Sequence, residues 1–146
     1  MKSRLVWEQA GERTFVLVCE KDDDPIAAIT RLAREHRIAG ASFKAIGAFR
    51  EAVLAYFDPT ELQYLHNPID EQVEVVSLVG DIAQKDGEPR VHAHVVVACR
   101  DGSTRGGHLL GAKVWPTLEV VLTETPAPLR KRSDPETGLA LIDLSA

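Results

Sequence analysis

Three of the five histidines in this 146-residue chain, His92, His94 and His108, fall in the single stretch His92 to Leu110. Imidazole titrates nearest neutral pH among the side chains and is the commonest protein ligand for divalent transition metals. His92 and His94 lie two residues apart in a run rich in β-branched residues, Val91 to Ala98. In a strand both rings therefore leave the same face, with Cα atoms about 6.5–7 Å apart. Two imidazoles so placed can converge on one ion, which if it is zinc sits about 2.0–2.1 Å from each nitrogen. A lone histidine in a strand is ordinarily a hydrogen-bonded polar residue, and a His-x-His pair is a weak signal. The third histidine brings the metal reading level with the plain one.

Whether His108 joins the pair depends on the turn at Arg100-Asp101-Gly102-Ser103. A two-residue type I′ loop at Asp101-Gly102 pairs Arg100 with Ser103 and sets His108 opposite Val95, facing away from the other two. A three-residue loop, with Gly102 left-handed as a bulge, pairs Cys99 with Ser103 and sets His108 across from His94. The bulged register is the preferred one, although Gly106-Gly107 could add a bulge of its own. These glycines leave open space beside His108 and lack the spacing of a dinucleotide-binding loop. Glu119 could add a carboxylate to the trio, but a charged residue on an alternating strand more often faces solvent.

The elements that must position these residues can be read along the chain. Residues 4–7 and 14–19 form a hairpin around Gln9-Ala10-Gly11-Glu12. Asp24 and Pro25 cap and open a helix whose Ile26, Ile29, Leu32 and Ala33 recur at helical spacing, and Gly40 is placed to end it in a left-handed conformation. His36, near that C-terminus, takes no catalytic role. Asp22-Asp23-Asp24 lacks the glycine and distal glutamate of a calcium loop. Residues 42–48 and 51–58 read as two strands meeting at a bend near Gly47. A short strand around Tyr64 is cut off at His66-Asn67-Pro68, with His66 a loop residue. Residues 72–82 form a strand whose apolar run ends at Gly80, Trp115-Pro116 lies in a connection, residues 117–125 form another strand, and residues 139–144 return as a short edge strand. The links are too short for parallel crossovers, so the predicted class is α+β: one main helix flanking a mostly antiparallel sheet of roughly seven to nine strands in a single domain spanning residues 1–146.

With 22 acidic residues against 17 basic ones and a net charge of −5, the chain is a poor candidate for gripping nucleic acid over its whole surface. The basic cluster Arg130-Lys131-Arg132 reads as a solvated loop. Cys19 and Cys99 each end an apolar strand, which suits free thiols better than a disulfide or a thiolate metal site. No apolar run approaches eighteen residues and no signal segment precedes the first strand, so a cytoplasmic protein without membrane contact is expected.

Glu74-Val75-Val76-Ser77-Leu78-Val79-Gly80-Asp81-Ile82, then Gly87-Glu88-Pro89-Arg90-Val91-His92-Ala93-His94, then Gly106-Gly107-His108-Leu109, resemble the PPC family, the plants-and-prokaryotes-conserved domain that follows AT-hook segments in plants. The likeness extends over nearly the whole chain. It implies an antiparallel sheet with a flanking helix, assembly into homotrimers, a role often described as DNA-binding, and, in some prokaryotic members, zinc held at the subunit boundary by histidines matching His92, His94 and His108. Two departures stand out. No Arg-Gly-Arg-Pro AT-hook occurs, so the minor-groove element of the plant proteins is missing. Gly111 also stands where relatives are expected to carry a larger residue, so no fourth ligand is taken from that position.

Three functions follow as expectations. The first is a DNA-associated regulatory homotrimer with a structural metal site. The second is a zinc-dependent enzyme acting on a small molecule, with Glu119 or a neighbouring subunit's group as base. The third is a metal-free histidine cluster held by hydrogen bonds. No residue is singled out as catalytic.

Overall fold

The computed structural model describes residues 1–145. Its elements in chain order are β1 (Lys2–Gln9), β2 (Glu12–Cys19), α1 (Pro25–Glu35), β3 (Gly40–Asp58), β4 (Gln63–Ile69), β5 (Val73–Lys85), β6 (Glu88–Ala98), β7 (Thr104–Glu124), β8 (Lys131–Ser133) and β9 (Ala140–Ile142). Seven strands form one sheet in the order β1-β2-β7-β6-β5-β3-β4, and β7 pairs with β3 as well. All of these pairings are antiparallel. The strands β3, β5, β6 and β7 thus pair in a closed circuit, which leaves none of the four with a free edge along its whole length. One helix among the described residues and a large antiparallel sheet make a single α+β domain.

Alternation explains which way each strand turns its side chains. Ala93, Val95 and Val97 on β6, Leu78 and Ile82 on β5, and Leu118, Val120 and Leu122 on β7 all point into the core. Phe15 and Leu17 on β2 and Ile29 and Leu32 on α1 meet them there. Each fully buried Val, Leu, Ile or Phe among them stabilises the fold by about 1.5–3 kcal/mol relative to an exposed one. The helix begins as its sequence dictates: the Asp24 side chain accepts from the Ala27 N–H at 2.9 Å, with Pro25 in the first turn.

The observed elements depart from the expectations at several points. Gly40 does not end α1. The left-handed position is taken by Arg37, with φ 54°, and Gly40 opens β3 instead. There a Cβ would sit 2.8 Å from the Leu129 nitrogen, so absence of a side chain matters for close packing rather than for a turn. The two strands expected around Gly47 are one strand of 19 residues, because the bend is a register shift between Ala45 and Gly47 that leaves pairing intact on both sides. Likewise Trp115-Pro116 lies inside the 21-residue β7, and β5 runs past the expected end at Ile82 to Lys85. His66 belongs to β4, paired with Ala55, rather than to a loop. The returning C-terminal segment pairs with β8 and not with the main sheet.

Candidate metal centre

The turn chemistry sets the register of the site. Gly102 is left-handed at φ 82°, the Cys99 N–H donates to the Ser103 carbonyl at 2.8 Å, and the Gly102 N–H donates to the Cys99 carbonyl at 2.9 Å. The Asp101 carboxylate accepts from the Ser103 N–H at 2.9 Å and from its hydroxyl at 2.6 Å, which closes the loop. This is the bulged hairpin, and it pairs His94 with His108. Pairing runs unbroken from His94–His108 to Ala98–Thr104, so Gly106-Gly107 adds no bulge. Nor do these glycines leave open space: a Cβ on Gly107 would stand 2.7 Å from the Ala55 carbonyl oxygen, so the small residue lets β3 approach β7 where His108 begins to pair with it.

The three imidazoles come together on the face of the sheet turned away from the core. Their ring centroids are 5.1 Å (His92–His94), 5.2 Å (His92–His108) and 5.4 Å (His94–His108) apart. One nitrogen from each lies within 4.8 Å of the others, an arrangement capable of coordinating a metal ion. His94 is exposed, whereas His92 and His108 are half-buried. The Nε2 atoms of His92 and His94 stand 3.2 Å apart, close to the edge of about 3.3–3.4 Å that tetrahedral zinc with nitrogen ligands requires. Without an ion, that distance is a hydrogen bond in which one ring must donate.

Electrostatics favour neutral, ligand-ready rings at His94 and His108. Burial lowers the pKa of His108 to about 4, helped by the charges of His92, His94 and Lys131. Burial and the neighbouring His92 also lower that of His94. His108 Nδ1 is buried and has no hydrogen-bond partner, the condition that a bound ion or water relieves. The donor set therefore fits a borderline divalent ion on three counts: nitrogen chemistry, spacing and an unsatisfied buried atom.

Glu119 is not part of this site. It pairs with Val18 and Ile46 at the far end of β7 and faces solvent. The carboxylate that does approach is Asp81, cross-strand partner of His92, whose Oδ2 lies 3.4 Å from His92 Nδ1. Asp81 Oδ1 in turn accepts from Lys131 Nζ at 2.5 Å. Burial opposes charge on Asp81, but His92 and Lys131 outweigh it and hold its pKa below the usual carboxylate range. Lys131 is thus buried, with 3% of its side chain exposed, and not solvated as its basic neighbours suggested. Tyr64 on β4 stacks on His108 with ring centroids 4.7 Å apart. The sequence carries a trace of Asp81, which sits in the resembling motif, and none of Tyr64 or Lys131, because both arrive through pairings between distant segments. Gly111 lies elsewhere, in a 320 Å³ cavity that it shares with Asp24.

Residues 7–126 match the family model of the Plants and Prokaryotes Conserved (PCC) domain. The chain belongs to this family. Among solved structures it is similar to a plant- and prokaryote-conserved protein from Pyrococcus horikoshii, with 29% identity, a TM-score of 0.85 and coverage of 90% of this chain and 91% of that one. A metal-containing protein from Archaeoglobus fulgidus is 31% identical with a TM-score of 0.83, covering 97% of this chain and 99% of the other. A protein from Ralstonia eutropha, described as a "putative DNA-binding protein", is 32% identical with a TM-score of 0.83, covering 89% of this chain and 90% of the other. Two bifunctional GlmU proteins of Synechococcus are 35% identical over 113 residues, 75% of this chain, which spans only 17% of their length. The PCC match stops short of β8 and β9.

Proposed function

We propose that this PCC-domain protein is a homotrimer in which His92, His94 and His108 of each copy hold one zinc ion near a boundary between copies, in a DNA-associated regulatory setting. The carrying observation is the convergence of three imidazoles, one with an orphaned buried nitrogen, on the outer face of the sheet. The metal content that names the Archaeoglobus relative supports the same reading. Assembly is supported by the surface beside the trio: Val79 and Val96, on the same face as the histidines, are 52% and 41% exposed, and Ile46 and Val76 are 62% and 55% exposed. Apolar side chains gathered on a sheet face are covered favourably by another protein surface. The DNA setting rests on the description of the Ralstonia relative, and a net charge of −5 favours contact through a partner over direct grip of the duplex.

A second reading, a zinc-dependent enzyme acting on a small molecule, is favoured by the exposure of His94, which leaves the solvent side of the trio open to water or substrate. Bound zinc would supply Lewis acidity and lower the pKa of such a water.

Elemental analysis of protein purified without a histidine tag tests the core of the proposal. About one zinc per chain is expected, falling to background in His108→Ala; metal-free wild-type protein would leave a hydrogen-bonded histidine cluster. Light scattering should give three times the 16.0 kDa chain mass. Unchanged electrophoretic mobility of duplex DNA at low salt with excess protein would remove direct DNA binding.

A further inference from the structure

We propose that the C-terminal arm, outside the stretch matched to the PCC family, carries a positioning residue for the histidine centre: Lys131 fixes Asp81, and Asp81 orients His92. The inference rests on the reading of the trio as a metal site and adds to it the residues that set its geometry. Asp81 divides its two oxygens between two partners, Oδ1 to Lys131 and Oδ2 toward His92 Nδ1. A carboxylate facing Nδ1 favours the tautomer with its proton there, which leaves the Nε2 lone pair pointing at the trio. Nε2 is the His92 atom found 3.2 Å from His94.

Lys131 is placed by backbone bonds on both sides. The Leu129 N–H donates to the Ala39 carbonyl at 3.1 Å, and the Gln84 N–H donates to the Leu129 carbonyl at 2.8 Å. The Asp143 N–H donates to the Arg130 carbonyl at 2.8 Å, and β9 pairs with β8. Outside the core of the arm, Lys85 Nζ donates to Ser133 Oγ at 2.8 Å. These contacts hold the arm on the edge of β5 without help from a buried ammonium. An apolar side chain would close the same gap without desolvating a cation, so anchoring alone gives no reason for lysine. Its one recorded side-chain partner among the described residues is the carboxylate facing His92.

The test compares wild-type protein with Lys131→Met, Lys131→Arg and Asp81→Asn, using zinc competed against a chromophoric chelator and long-range nitrogen–proton NMR of the zinc-free protein. Lys131→Met should weaken zinc binding about 10-fold, within the range seen for outer-shell partners, and Lys131→Arg should recover most of it. Adding Lys131→Met to Asp81→Asn should weaken binding no further. In zinc-free wild-type protein His92 should carry its proton on Nδ1, and in Lys131→Met the two tautomers should mix. Unchanged affinity and tautomer in a folded Lys131→Met overturn the proposal. So does a wild-type His92 protonated on Nε2, a result that needs no variant to fold. If wild-type protein takes no zinc, the metal reading fails, while the tautomer measurement still decides the role of Lys131.

Discussion

The two faces of β6 share a backbone and little else. On one, Ala93, Val95 and Val97 are at most 2% exposed and pack into the core; on the other, His92 and His94 stand with the exposed Val96. A period of two keeps the faces separate, so residues that hold the fold together alternate with residues that serve the site. The division teaches that stability and ligand binding should be separable by single substitutions on paired strands.

The strongest challenge to that separation lies on the inner face. Leu78→Ala, opposite Val95 and fully buried, should destabilise the protein by about 2–5 kcal/mol in urea unfolding, with zinc stoichiometry unchanged in the fraction that remains folded. The mirror experiment is His94→Ala. It should abolish zinc binding measured by competition while shifting metal-free stability by no more than about 0.5 kcal/mol, since the side chain is exposed. If both variants lose both properties, the faces are not independent.

His108 sharpens the contrast, because it stands on the outer face yet is half-buried. Its folded pKa of about 4 lies below the ordinary 6.5, so the unfolded chain takes up the proton first as pH falls. Stability from this group is therefore complete above about pH 6.5 and is lost progressively as pH drops toward 4. Urea midpoints of the metal-free protein should decline across that window, and His108→Gln should flatten the decline. The smallest effect concerns the thiols. Burial, with Asp23 adding to it, raises Cys19 to about 12, while Cys99 is half-buried. A thiol reagent should label Cys99 first in native protein and both cysteines only after unfolding.

What could be read from the sequence was what local chemistry determines. Asp101 and Gly102 choose the hairpin loop, the loop chooses the register, and the register brings His108 to His94, all within one short segment. The cap of α1 is equally local. Distant pairings were not legible. Asp81 reaches His92 through β5–β6 pairing, Tyr64 reaches His108 through β4, and Lys131 arrives on an arm whose charged composition resembles that of a solvated loop. Glu119 illustrates the same limit from the other side: its strand also carries His108, but the length of β7 places it at the far end. Gly47 signalled a bend without showing that pairing survives it.

β7 pairs with β2, β3 and β6, elements that lie scattered through most of the preceding sequence. Topologies dominated by such non-local contacts fold slowly. The β6–β7 hairpin is a local pairing, whereas the Ala55–His108 pairing that backs the trio joins β3 to β7 across the intervening β4, β5 and β6. A metal held by the trio would accordingly be captured late in folding.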